Sequence, residues 1–366
     1  MKIAITGTRG VPNHYGGFEQ FAEHLSEYLV RDGHEVTVYN SHTHPYQGAE
    51  WKGVKIRHCH DPEDKFGTIG QFFYDLNCIL DCRRRDYDII LQLGYTSNSV
   101  WGFLLPKRSV IITNMDGMEW KRTKYNKWIQ RFLRFSEWLA VKMSDHLIAD
   151  SLGIQTYLEK KYKAKAFYSA YTATVPAVYD EKALEHHSLS KNNYDLLIAR
   201  MEPENNIEMI IEGHLKAATG TPLIIIGGIH ALYGQHLFRK YNSPHVQFRG
   251  AIYEKEMLDS LRHFARLYFH GHSVGGTNPS LLEAMACGCR IVAHDNQFNN
   301  TVLNGEALYF SNPDELKMAM EKALVDEEFF KSAITKNIER ITNLYNEAAV
   351  FSRLKDKLTE WSGAER

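Results

Sequence analysis

Small and polar residues crowd one loop near the end of the chain, Gly271-His-Ser-Val-Gly-Gly-Thr-Asn278, and a carboxylate, Glu283, follows it. The apolar run Leu267 to His270 ahead of the loop reads as a short strand. Pro279 to Cys287 behind it reads as a helix, with Asn278 as N-cap and Pro279 at the first helical position. Ile291 to Ala293 begins the next strand. A helix N-terminus facing a glycine loop presents backbone N–H groups and the positive end of a dipole, which suits a diphosphate. Glu283 lies too deep in the helix to cap it. A carboxylate there can accept two hydrogen bonds from a vicinal diol such as a ribose. The bland alternative is a solvated helix glutamate.

The elements that must hold such a site follow a regular order. Lys2 to Thr6 is a short apolar strand opening into the glycine-containing loop Gly7 to Gly17. A helix then runs from Phe18 to Arg31 with Phe18, Phe21, Ala22, Leu25, Tyr28 and Leu29 on one face, and Gly33 to Tyr39 is the second strand. Strand, glycine loop, helix, strand is the first half of a doubly wound α/β domain. A dinucleotide fold is disfavoured, because the loop lacks G-x-G-x-x-G and the second strand ends in Asn40 rather than an acid. Further strands are predicted at Val54–His58, Asp88–Leu93, Ser109–Thr113 and His146–Ala149. A polar stretch to about Asn193 reads as a link, and strands follow at Tyr194–Arg200, Leu223–Ile226 and Val246–Arg249. The expected domains are 1–180 and 190–346, with a helical tail over 347–366. Asp86-Tyr-Asp88 has the spacing of a metal motif, but it opens a strand. Parallel α/β sheets bind ligands at the carboxyl ends, so no metal is expected there.

A chain of 366 residues suffices for two domains, and 44% hydrophobic with 24% charged residues is a globular composition. A net charge of -1 argues against nucleic acid as partner. Five cysteines do not form a disulfide framework, and neither Cys78/Cys82 nor Cys287/Cys289 has a second pair at zinc spacing. No signal-like segment precedes the first strand, and no apolar run reaches the roughly 18 residues that span a bilayer. A cytoplasmic protein, soluble or peripheral at the inner face of the membrane, is expected.

Glu283-Ala-Met-Ala-Cys-Gly288 resembles the donor motif of retaining glycosyltransferases of family 4, which have the GT-B fold. Their usual pattern places another Glu eight residues earlier, where this chain has Gly275. The variant from Gly271 to Glu283 is similar to one branch, which includes bacterial enzymes that transfer rhamnose in cell-surface polysaccharide synthesis. The resemblance runs from Met1 to roughly Phe310. It implies an α/β protein of two Rossmann-like doubly wound parallel-sheet domains facing a cleft, acceptor side first and nucleotide-sugar side second. The last helix would pack back on the first domain.

The resemblance also implies residue roles. Arg200 matches the arginine of a diphosphate clamp and can contact phosphate bidentately, while Asn205 stands at the clamp's lysine. Backbone N–H groups of Gly275 and Gly276 would replace the missing carboxylate, with Thr277, Asn278, Ser280 and Leu281 completing the phosphate end. Glu283 would hold the ribose, and the turn ending at Tyr253 would seat the base. Gly16 and Gly17 would let backbone approach the donor, and His14 and Glu19 would face the acceptor. Asp116, at a strand end where relatives carry a His-Asp or His-Gly pair, would bind sugar hydroxyls or accept a proton, with Glu119 as rival; the plain reading is a turn.

From Trp120 to Ser136, Lys and Arg interleave with aromatics and no acid opposes them. That pattern suits an interfacial segment on anionic lipid, or a core helix with solvated charges. The expected function is a retaining, cofactor-free and metal-independent glycosyltransferase. It would move a sugar, foremost rhamnose from dTDP-rhamnose and otherwise from UDP- or GDP-sugars, to a saccharide or polyprenyl-linked acceptor. The alternatives are a catalytically silent sugar-nucleotide-binding partner of an assembly complex and a sugar-nucleotide epimerase on the same fold.

Overall fold

The structure, a computed structural model, describes residues 1–115, 117–122 and 125–363. The chain divides into two compact units. One comprises Met1–Lys121, Tyr125–Tyr171 and the tail from Glu347; the other comprises Arg122 and Thr172–Asn346.

In chain order the first unit contains β1 (Lys2–Thr6), α1 (Gly17–Arg31), β2 (Glu35–Ser41), β3 (Glu50–Trp51), β4 (Val54–Cys59), α2 (Glu63–Phe66), α3 (Thr68–Cys82) and β5 (Ile89–Leu93). It continues with β6 (Val110–Asn114), α4 (Lys127–Met143), β7 (His146–Ala149), α5 (Leu152–Tyr162) and β8 (Ala166–Tyr168). The sheet order is β3-β4-β2-β1-β5-β6-β7-β8, parallel except for β3 on β4. Helices cover a parallel sheet on both faces, so its central strands are buried throughout, as in Ile89-Ile-Leu-Gln-Leu93. The strand order reverses between β1 and β5, where Ile3 to Thr6 register with Ile89 to Gln92. That switch point leaves the loops after β1 and β5 side by side.

The second unit contains α6 (Lys182–Glu185), β9 (Asp195–Ile198), α7 (Ile207–Ala217), β10 (Leu223–Ile226), α8 (Leu232–Tyr241), β11 (Val246–Phe248), α9 (Lys255–Phe264) and β12 (Leu267–His270). It continues with α10 (Pro279–Ala286), β13 (Ile291–His294), α11 (Gln297–Leu303), β14 (Leu308–Phe310), α12 (Pro313–Val325) and α13 (Glu327–Arg340). Its sheet, β11-β10-β9-β12-β13-β14, is parallel throughout and switches between β9 and β12. Leu197, Ile225, Phe269, Val292 and Phe310 fill its core. At the amino end of β9, the fully buried Asp195 accepts hydrogen bonds from Arg266 Nε at 2.9 Å and Nη2 at 2.5 Å, with His214 Nε2 at 3.0 Å.

The tail forms α14 (Glu347–Gly363), which belongs to the first unit. Phe351 is buried against Phe21, and Trp361 stacks on His146 with ring centroids 4.3 Å apart. Cys78, Cys82, Cys287 and Cys289 are buried free thiols. Asp88 sits at the amino end of β5, where its carboxylate accepts from the Lys2 amide at 2.7 Å. Among the described residues, no helix is long and apolar enough to cross a membrane.

Candidate functional site

In the second unit, the loops following β9 and β12 leave the carboxyl ends of adjacent strands and touch. A Cβ at Gly271 would stand 2.0 Å from the Asn205 carbonyl oxygen, so only glycine allows this approach. Asn206 donates to the Gly271 carbonyl at 2.8 Å. Ser273 donates to the Glu204 carbonyl through its amide at 3.1 Å and its hydroxyl at 2.8 Å. Asn205, at the clamp's lysine position, is buried and donates to the Arg200 carbonyl at 2.8 Å, so it braces its own loop. Arg200 itself is exposed at the mouth of that loop.

Gly275 has φ +131°, a conformation that side chains disfavour, and a Cβ there would meet nothing within 4 Å. Its glycine therefore serves backbone shape in open space rather than packing. Gly276 is half-buried and Thr277 buried. Asn278 caps α10 as expected, its side chain accepting from the Ser280 amide at 2.9 Å. Capping corrects part of the sequence reading. The Ser280 amide is engaged by the cap, and the Leu281 amide donates to the Asn278 carbonyl at 3.1 Å. The Ser280 hydroxyl meets Tyr268 Oη at 2.7 Å, and the Leu281 side chain is buried. Neither residue is placed to present its amide to an anion. Tyr253 is 73% exposed.

Glu283 is no solvated helix residue. Its Oε2 accepts from Nη2 of Arg262 at 2.5 Å, and 17% of its side chain stays open. Arg262, on α9, is buried and also pairs with Asp259 at 3.3 Å. The neighbouring carboxylates outweigh burial and hold its pKa above the ordinary value, so it stays charged. Sequence reasoning missed Arg262, because an Asp-x-x-Arg spacing on a helix reads as a solvated i,i+3 pair. Past β12 stands His272, whose buried Nδ1 has no hydrogen bond. Burial first, then repulsion by Arg200 and Arg122, pushes its pKa down to about 3, so the ring is neutral. His270 stacks on it at 4.6 Å, wholly buried and also held neutral by burial.

In the first unit, Gly16 is the N-cap of α1 in extended conformation, and the nearest atom to a Cβ there would be 3.5 Å away. Neither backbone shape nor crowding demands glycine at Gly16. Gly17 opens the helix. Glu19, expected to face an acceptor, is buried instead: its carboxylate accepts from Thr8 Oγ1 at 3.1 Å and the Arg9 amide at 2.8 Å. Arg9 forks onto Glu63 at 2.6 and 2.8 Å and lies 3.8 Å over the Tyr15 ring. His14 is exposed beside His44. Glu119 opens a half-buried 3₁₀ turn, and Asp116 lies outside the described residues.

Of the Trp120–Ser136 stretch, Lys127 to Ser136 lie in α4, several of whose aromatics are exposed. Trp128 is 76% exposed, and Ile129, Phe132, Phe135 and Trp138 share the exposed surface. Trp120 is tied to the buried Glu137 through its indole N–H at 3.1 Å.

Residues 1–174 match the family described as Domain of unknown function (DUF1972), and residues 180–340 match Glycosyl transferases group 1. No curated protein matches the sequence. Among solved structures, a sucrose-phosphate synthase from Thermosynechococcus elongatus is similar over 100% of both chains at 16% identity, with a TM-score of 0.81. A glycosyltransferase from Rickettsia africae ESF-5 covers 100% of this chain and 99% of its own, at 12% identity and TM-score 0.73. Anabaena Alr3699/HepE in complex with UDP-glucose covers 98% of this chain and 100% of its own, at 13% identity and TM-score 0.74.

Proposed function

We propose that this GT-B chain, with its Glycosyl transferases group 1 domain at residues 180–340, transfers a sugar from a nucleoside diphosphate to a hydroxyl acceptor with retention of configuration. The observation that carries this reading is Glu283. It is a partly open carboxylate, oriented by a buried arginine, in a helix whose N-terminus meets a glycine loop. Such a carboxylate suits a ribose diol, and the glycine loop ahead of the helix suits the attached diphosphate. The amides offered to phosphate are those of Gly275 and Gly276, with Arg200 at the mouth. The similar Anabaena structure holds UDP-glucose, which supports a nucleotide-sugar donor.

In the transfer, the bond from the sugar's anomeric carbon to the leaving phosphate oxygen breaks, and one to the acceptor oxygen forms on the same face. The acceptor proton passes to the leaving phosphate, and Arg200 offsets the charge that develops there. The Gly271–Glu283 pattern favours dTDP-rhamnose over UDP- or GDP-sugars. The acceptor is a saccharide, lipid-linked where α4 lays its exposed aromatics and its Lys127, Arg131 and Arg134 on anionic lipid.

Thermal stabilisation by dTDP, UDP, GDP and NAD tests the donor class, because a ligand bound only by the folded state raises Tm by mass action. A response to dTDP that Arg200→Ala and Glu283→Ala abolish supports the rhamnosyl reading. A response to UDP or GDP keeps the class and discards rhamnose. A response to NAD alone sinks the proposal.

A further inference from the structure

The two loops of the donor site join at Glu204. Its carbonyl binds Ser273 of the glycine loop. Its carboxylate, 5% exposed, has no hydrogen bond at either oxygen. A buried carboxylate in that condition is costly unless a cation stands near. The cation is Arg122, whose Nη1 lies 3.5 Å from Glu204 Oε1 and whose side chain is 16% exposed. That separation marks an ion pair, longer than a charge-assisted hydrogen bond. Arg122 also lies close enough to His272 to repel a charge there, as Arg200 does. Arg122 is thus tied through Glu204 to the glycine loop that carries His272, whose buried Nδ1 has no hydrogen bond. The neighbouring Asn205 is turned away onto the Arg200 carbonyl.

We propose that Arg122, held by Glu204, is the second phosphate-binding cation of the donor site, supplying the charge that Asn205 lacks. The proposal rests on the donor reading above. Its ligand is the diphosphate group of a nucleoside diphosphate. Arg122 reaches phosphate oxygens while Glu204 fixes its direction, so the loop needs no lysine. Glu204 is a positioning residue.

The test is titration calorimetry on the full chain with the tightest of dTDP, UDP and GDP, alongside its parent nucleoside. Arg122→Ala alone would leave Glu204 buried and unpaired, so the informative variant is Arg122→Ala combined with Glu204→Gln. Its diphosphate affinity is expected to fall about tenfold, the scale of one charge-assisted contact, with nucleoside affinity unchanged. Arg122→Lys should recover part of the loss. Equal loss for diphosphate and nucleoside means a merely structural role and overturns the proposal. So does an unchanged diphosphate affinity while Arg200→Ala weakens it, an outcome that leaves the donor reading standing. A wild-type chain that binds no nucleoside diphosphate overturns both.

Discussion

Both units set a glycine loop between a central parallel strand and a helix, and both place a glutamate early in that helix. The two carboxylates end in opposite situations. Glu19, in the first turn of α1, closes on its own loop through Thr8 and Arg9 and is buried. Glu283, two positions deeper in α10, is held from another helix by Arg262 and stays partly open. Depth in the helix and capping together explain the difference. The N-cap of α1 is Gly16, which has no side chain to cap with, and the first-turn glutamate reaches back to the preceding loop at Thr8 and Arg9. The cap of α10 is Asn278, and Glu283, at the fifth helical position, lies too deep to reach back to the loop. A glutamate in the first turn can fold back on its loop, whereas one past it must find another partner, here Arg262.

The largest effect should come from removing what holds Glu283. Arg262→Met strips the buried counter-ion from Glu283 and Asp259, and urea unfolding should report a loss of about 3–5 kcal/mol. Arg262→Met combined with Glu283→Gln should regain part of it. A loss below about 1 kcal/mol would mean that Glu283 orients itself, and the contrast with Glu19 would dissolve.

Smaller in energy but sharper in contrast is the glutamine pair. Glu283→Gln should weaken nucleoside diphosphate binding by roughly tenfold to a hundredfold, because one carboxylate no longer accepts from both hydroxyls. Glu19→Gln should leave that affinity near wild type and cost about 1–2 kcal/mol of stability through its lost loop bonds. Calorimetry and denaturation on both variants decide it. Affinity lost in Glu19→Gln with stability intact would return Glu19 to the ligand site.

Most strands were legible because each is a buried apolar run bounded by polar residues; β10 and β12 fall where the sequence puts them. The edge strands β3 and β8, of two and three residues, are too short to show periodicity. Within the site, the Asn278 cap and the depth of Glu283 could be read because both depend on local helix geometry. Arg262 and Arg122 could not, because their partners lie 21 and 82 positions away. Ser280 and Leu281 were misread for a related reason: their position suggested an anion site, but a capping asparagine engages the amides that an uncapped helix would offer.

The last contrast concerns protons and has the smallest effect per pH unit. Asp75 of α3 is buried, and burial lifts its carboxyl from 3.8 to about 7, against the pull of its bond from Ser97. The unfolded chain has lost this proton by pH 5 while the folded one keeps it. Asp75 therefore contributes stability that fades as pH rises from about 4 through about 7. His272 runs the other way. Its folded value of about 3 lies below the ordinary 6.5, so the unfolded state binds the extra proton, and stability fades as pH falls from about 6.5 toward 3. Each slope is bounded by about 1.4 kcal/mol per pH unit. Hydrogen exchange of each unit between pH 4.5 and 7 separates them, since a single unfolding midpoint would merge two domains. Asp75→Asn should flatten the first unit's profile and His272→Gln the second's. If Asp75→Asn leaves the first unit's profile unchanged, that carboxyl is ionised in the fold, and the two units do not differ in the sign of their pH response.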